Sequence, residues 1–287
     1  MDKKQITSSL WKRNLRKFFN NRLAVLGFVI MAVILFCCIA APLLTEYLPN
    51  AINLKELTRA PESGHIFGTD KQGRDVFARV LYGGRTSIMI GVVSSLMGSL
   101  IGVVLGAIAG YFGGLIDSLL VRLSEIFSTF PQLILILVLV SIIGPGVFSL
   151  IVIFGVTGWM TTFRMIRTEF ITLREETYVQ VARAFGMSKS SIIFSEILPN
   201  AFSPVIAATT INVAGFILSE AGLSFIGLGV PSGTPTWGNI LNAAKGIDVI
   251  TNFWWLWLIP GIVLSLFILG VNFVGDGLRD VLDPKQL

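Results

Sequence analysis

The chain has 287 residues, of which 53% are hydrophobic and only 14% charged, with a formal net charge of +5. Soluble domains carry about 25% charged residues, so most of this surface must meet lipid, and a soluble enzyme or a disordered regulator is excluded. The basic residues stand at the ends of apolar runs, which argues against a nucleic-acid footprint.

Uncharged stretches between charges predict six membrane spans, since about 20 apolar residues cross the hydrocarbon core. The first, LAVLGFVIMAVILFCCIAAPLLT, lies between Arg22 and Glu46 behind the basic segment WKRNLRKFFNNR. It is longer than a signal-peptide core and reads as a retained span. Its adjacent Cys37 and Cys38 read as small packing residues rather than a disulfide or a zinc site. The second span falls between Arg85 and Asp117, with glycine at every fourth position: Gly98, Gly102, Gly106 and Gly110. That spacing lets helices approach closely in lipid. Tight internal packing is the preferred account.

A third span is expected from about Ile116, kinked at Pro131, and a fourth from Val147 to Ile166, with Gly144-Pro145-Gly146 as the turn between them. The fifth lies between Glu196 and Glu220, beginning after Pro199. The sixth lies between Asp248 and Asp276, behind the interfacial aromatics Phe253, Trp254, Trp255 and Trp257. Six spans put both termini on one side. Fifteen of the 22 lysines and arginines fall on that side, which the positive-inside rule makes cytoplasmic. The expected division is therefore an arm over 1–22, a first span over 23–48, an extracytoplasmic loop over 49–85 and a five-helix core over 86–277. A tail follows over 278–287.

Two segments lie outside the spans. In the outer loop, turns at Gly68 and Gly73 precede a short helix with Val76, Val80 and Leu81 on one face, expected to lie on the outer surface. The inner loop, 167–199, predicts a helix capped by Thr177, a bend at Gly186, and a second helix capped by Ser188 that leads to Pro199. Val181, Ala184 and Phe185 make a small apolar face suited to a groove on another protein. The Gly- and Pro-rich outer loop over 222–252 contains Trp237, Gly238 and Asn239. It predicts a re-entrant segment sealing a pathway.

The inner loop resembles the EAA loop of ABC importer permeases. The matching positions are Gln180, Val181, Ala182, Gly186, Glu196, Leu198 and Pro199, with departures at Gln180, Val181 and Glu196. Three further segments resemble signatures of the dipeptide, oligopeptide and nickel permease family: FGTDKQGRDVFARVLYGGRTS, SEAGLSFIGLGVPSGTPTWGNIL and the ending GDGLRDVLDPK. WKRNLRKFFNNRLAVLGF resembles the N-terminal segment of the OppC/DppC-type half. The resemblance implies an all-α membrane protein with the type I ABC importer permease fold, in a prokaryotic plasma membrane. It implies a homologous second permease subunit, two cytoplasmic ATPases and an extracytoplasmic solute-binding protein as partners. The coupling loop would comprise Tyr178, Gln180, Val181, Ala182, Arg183, Ala184, Phe185, Gly186 and Pro199. Short peptides are the expected cargo, with nickel or a metal–chelator complex as the alternative.

The chain shows no G-x-x-x-x-G-K-[ST] phosphate loop: after Gly68 and Gly73, Arg74 and Asp75 stand where lysine and Ser/Thr are needed. ATP and magnesium are expected in partner subunits, with no cofactor, metal or catalytic residue here. The single histidine, His65, leaves no histidine cluster for a metal or a Ser-His triad with spare partners. Charges at membrane depth are costly. Arg122 and Glu125 are expected to pair at i, i+3, with Asp117 near them. Glu220 is assigned either to packing or to substrate contact, since a carboxylate would attract a peptide amino terminus or a metal cation, and with Trp237 and Asn239 it is a candidate for the pathway or outer gate. A secondary transporter or channel would need buried charges in mid-span, and a membrane enzyme a polar cluster at one depth; the sequence offers neither.

Overall fold

The computed structural model describes residues 16–282. Within them the chain is helical, with isolated bridges only at Glu62–His65 and Thr69–Asp75. The helices are α1 (Arg22–Ile39), α2 (Val76–Phe112), α3 (Gly114–Thr129), α4 (Gln132–Ile143), α5 (Val147–Thr157) and α6 (Met160–Leu173). They continue as α7 (Thr177–Ala184), α8 (Ser203–Phe225), α9 (Trp237–Ala243), α10 (Ile247–Asn252) and α11 (Trp255–Leu282). Five spans are long and apolar enough to cross a membrane: α1, α2, the α5–α6 run, α8 and α11; the α3–α4 pair, bent by 86°, makes a sixth candidate. The expected arm over 1–22 and tail over 278–287 fall partly outside the described residues.

The first span starts where expected, because the Asn21 side chain accepts from the N–H groups of Leu23 and Ala24 at 3.1 and 3.2 Å. It packs on α11 through small residues. A Cβ on Gly27 would sit 2.7 Å from Gly270 O, and one on Gly270 would sit 2.9 Å from Gly27 O.

The separate surface helix is absent. Asp75 caps α2 by accepting from Ala78 N at 2.6 Å, and the helix then runs 37 residues without a break. At 1.5 Å per residue that is about 55 Å, well beyond a hydrocarbon core of about 30 Å. Val76, Val80 and Leu81 are buried inside the molecule rather than laid on lipid. Gly83 and Gly84 do not stop the helix; a Cβ on Gly83 would lie 3.2 Å from Ile240 and one on Gly84 2.8 Å from Trp237, so both are close-approach positions.

Two predicted spans are broken rather than continuous. Pro131 bends α3–α4 sharply instead of kinking it. Gly158 and Trp159 interrupt the fourth span between α5 and α6. Around that break Phe154 stacks on Phe216 with ring centroids 5.3 Å apart. The sixth span extends past Asp276 to Leu282.

The 45–75 loop is held by hydrogen bonds of its own and by a tie to α11. Asp70 accepts from Gln72 N (2.8 Å), Arg74 N (3.0 Å) and Arg74 Nε (2.7 Å). Gly68 and Gly73 adopt φ of +73° and +70°, and Gly73 lies hard against the Asn53 carbonyl, which leaves no room for a side chain. Trp255 Nε1 on α11 donates to Thr69 O at 3.3 Å. Arg85 ties α2 to the end of α1, donating to Cys38 O at 2.5 Å and Ile39 O at 2.6 Å.

Candidate functional site

The glycine strip places α2 directly on the broken α5–α6 span. A Cβ on Gly98 would lie 3.2 Å from Gly155 O. On Gly102 it would lie 2.6 Å from Trp159 O, on Gly106 2.7 Å from Phe163 O, and on Gly110 2.5 Å from Phe170 Cβ. The first three face backbone carbonyls and the fourth a side-chain Cβ, and at Gly102, Gly106 and Gly110 the approach is too close for any larger residue without the helices parting. Asp117 on α3 receives both Nε and Nη2 of Arg167 on α6, the latter at 2.7 Å. Arg122 and Glu125 form no ion pair among the described residues and are exposed. The expected i, i+3 pair is thus replaced by a cross-helix pair, since Asp117 and Arg167 are brought together only by the packing of α3 on α6.

The loop after α6 builds a protruding helix. Glu176, not Thr177, occupies the N-cap position of α7, and no side chain caps it. Instead Gln180 Nε2 donates to Glu175 O at 2.9 Å. Val179 and Ala182 are buried against Val103, Ala107, Ile166, Phe170 and Ile197. The opposite side is bare: Val181 is 47% exposed and Phe185 85%. Gly186 terminates the helix at φ +75°. Its N–H donates to Arg183 O at 3.0 Å and Met187 N–H donates to Ala182 O at 3.1 Å, the two bonds of a Schellman cap. Ser188 caps the next turn as expected, accepting from Ser191 N at 3.3 Å. A π-helical stretch over Ile192–Ile197 then delivers Pro199 to the start of a short turn before α8. Tyr178 reaches Asn200, whose Nδ2 donates to its hydroxyl at 3.4 Å. Arg183 stacks over the Tyr111 ring at 5.6 Å. Ala184 is exposed beside the Val181–Phe185 tip.

At the other end Glu220, Trp237 and Asn239 converge, but inside the chain. Glu220 and Trp237 are fully buried and Asn239 nearly so. Glu220 accepts from Ser87 Oγ at 2.9 Å and Ser224 Oγ at 2.7 Å. Ser87 Oγ in turn accepts from Trp237 N at 3.2 Å, and Trp237 Nε1 donates to Val80 O at 3.0 Å. Thr236 and Asn239 form a reciprocal capping box on α9. The three residues assigned to packing or to a pathway or outer gate are thus buried within this chain, where their bonds form a knot that fastens α9 to α2 and α8.

Sequence reasoning missed His65. It is buried, with Nδ1 2.8 Å from Asp75 Oδ2 and Nε2 3.3 Å from Glu56 Oε2, and it stacks on Tyr47 at 4.7 Å. Burial alone would push the imidazole down; the two carboxylates outweigh it and hold His65 above its ordinary value. Ten and nine residues separate the partners, with no periodic signal to find.

Two family models match. Residues 102–287 match the binding-protein-dependent transport system inner membrane component, and residues 9–61 match the N-terminal TM domain of oligopeptide transport permease C. The chain belongs to this permease family. The permease is 42% identical over 273 residues to a putative peptide permease protein of Brucella suis, covering 95% of this chain and 90% of that protein. It is 39% identical to the oligopeptide transport system permease protein OppC of Escherichia coli, over 97% and 92% of the two chains. It is 36% identical to OppC of Bacillus subtilis, over 96% and 90%. The inward-facing MetNI methionine ABC transporter shares the fold, with a TM-score of 0.55 and 20% identity over 71% of the permease and 96% of that chain. The permease is thus a multi-pass inner-membrane subunit of an ABC importer in the peptide-transport branch.

Proposed function

We propose that this permease carries short peptides inward as half of a translocation pathway, paired with a homologous second permease subunit. Two cytoplasmic ATPases, which hold ATP and magnesium, drive it, and an extracytoplasmic solute-binding protein delivers the cargo. The α6–α8 loop faces the cytoplasm in this reading, in line with the lysine and arginine bias.

The observation that carries the coupling assignment is the two-faced α7. One side is anchored on Val179 and Ala182, and the other presents Val181 and Phe185 to whatever docks there. A helix anchored this way transmits displacement to its bundle, because the closely packed interior behind it is stiff. The peptide assignment rests on the relatives' names, oligopeptide and dipeptide transport permeases.

The test is co-purification of the tagged chain from its native membrane, followed by uptake in proteoliposomes. Recovery of a second permease and two ATPases, with ATP-dependent uptake of trialanine, is expected. ATP-dependent nickel or metal–chelator uptake without peptide uptake would move the cargo to the alternative. A chain that transports alone without ATP would overturn the importer reading in favour of a secondary transporter or channel.

A further inference from the structure

Three mid-span features meet at one cavity of about 230 Å³. The α3–α4 bend contributes Gln132, the α5–α6 break contributes Gly158 and Thr161, and the middle of α8 contributes Asn212, Phe216 and Ser219. None of the lining residues is ionisable. Ser219 Oγ donates to Gly215 O on its own helix at 2.8 Å. The amides of Gln132 and Asn212 and the Thr161 hydroxyl make no hydrogen bond to another described residue.

Polar groups at this depth in otherwise apolar spans are tolerated only where they find partners or line a wet cavity. The helices α4 and α6 both begin here without a side-chain cap; Ile134 N–H donates back to Pro131 O, and the N–H groups of the first two residues of each helix remain as donors. Broken helices flanking a midplane cavity are the arrangement in which transporters present backbone groups to cargo. Each side-chain amide offers one acceptor and two donors, the complement of a peptide unit's N–H and C=O. A metal ion would instead call for imidazole, thiolate or carboxylate, and the cavity has none. Its volume is below the roughly 300–1,000 Å³ of a complete small-molecule site, as suits one wall of a larger path.

From this we infer that the cavity at Gln132, Thr161, Asn212 and Ser219 is a subsite for the main chain of a passing peptide, reading amide groups and not side-chain charge. The inference rests on the peptide-permease reading above and adds to it the residues that contact the cargo.

The complete transporter in proteoliposomes, supplied with saturating cargo-loaded binding protein, tests it. Wild-type uptake of trialanine checks the underlying reading first; no uptake would overturn that reading and this subsite together. Given uptake, Asn212→Leu and Gln132→Leu each slow trialanine turnover about tenfold, the size expected when a buried peptide group loses its partner. A tripeptide bearing a diazirine, irradiated during turnover, labels the Met160–Thr161 or Asn212–Ser219 segments in peptide mapping. Unchanged turnover in both variants, or labelling confined to other segments, overturns the subsite. Loss of the second permease on co-purification of Asn212→Leu also overturns it, because Asn212 would then be a contact between subunits.

Discussion

Alanine at the α2 glycine strip sets two effects of opposite sign against each other. In an ordinary helix, Gly→Ala stabilises by roughly 0.5–1 kcal/mol, because glycine loses more backbone entropy. At Gly102 the new Cβ would meet Trp159 O at 2.6 Å, and at Gly106 it would meet Phe163 O at 2.7 Å. Both opposing atoms are backbone and cannot rotate aside, so α2 and α6 must part. Overpacking of this kind costs about 1–3 kcal/mol, and the net expectation is a loss of about 1–2 kcal/mol. For a chain of this size that lowers the melting temperature by roughly 2–8 °C. Gly98→Ala, with 3.2 Å to the nearest backbone oxygen, falls less. Gly222→Ala on α8 has open space around it, and it rises or stays level. The assay is thermal unfolding of the purified chain in one detergent, the four variants side by side. A uniform rise at all four positions would refute the reasoning, since helix propensity would then outweigh a contact that is not tight.

Gly186→Pro demands a φ near −65° where the chain holds +75°. ATP-driven uptake is expected to fall to background while the protein still inserts, as read by membrane yield; Ala182→Asp, which places a charge on the buried side of α7, behaves alike. Because His65 is held above its ordinary value, its pairing with Asp75 and Glu56 stabilises the 45–75 loop fully below pH about 6.5. That contribution fades as pH rises through the folded-state value. Hydrogen exchange of the loop should therefore quicken from pH 5.5 to 8.5 beyond the intrinsic rate, and His65→Phe should abolish the difference. Ser87→Ala removes a donor to Glu220 and the acceptor for Trp237 N–H, at about 1–3 kcal/mol; urea or heat titration checks it, and an unchanged midpoint would refute the buried knot.

Features with short-range causes were legible in the sequence. Ser188 and Gly186 act within one turn of themselves, so residue type and spacing announce them. The glycine repeat on α2 was visible as a close-approach face, although its partner was not. The surface helix failed because the charge of Arg85 marks the edge of an apolar run, whereas its guanidinium is bonded to the carbonyls of Cys38 and Ile39 and the helix runs straight through it. Arg122–Glu125 failed because the i, i+3 rule knows only one helix, whereas Asp117 finds Arg167 across two. Glu220 could be seen as an anomalous charge, but not the hydroxyls of Ser87 and Ser224 that accommodate it.

The amino-acid sequence by itself determined that this protein lives in lipid, how many times it can cross, and which family's signatures it carries. Those properties depend on composition, apolar run length and local spacing, all of which are additive along the chain. Tertiary structure alone decided where helices break, which charges pair, and which polar residues are sealed in and which line a cavity. Those outcomes depend on what lies opposite, as with Asn212 and Glu220 eight residues apart on α8. One lines an open cavity and the other is enclosed by serines, because different helices pack against the two positions.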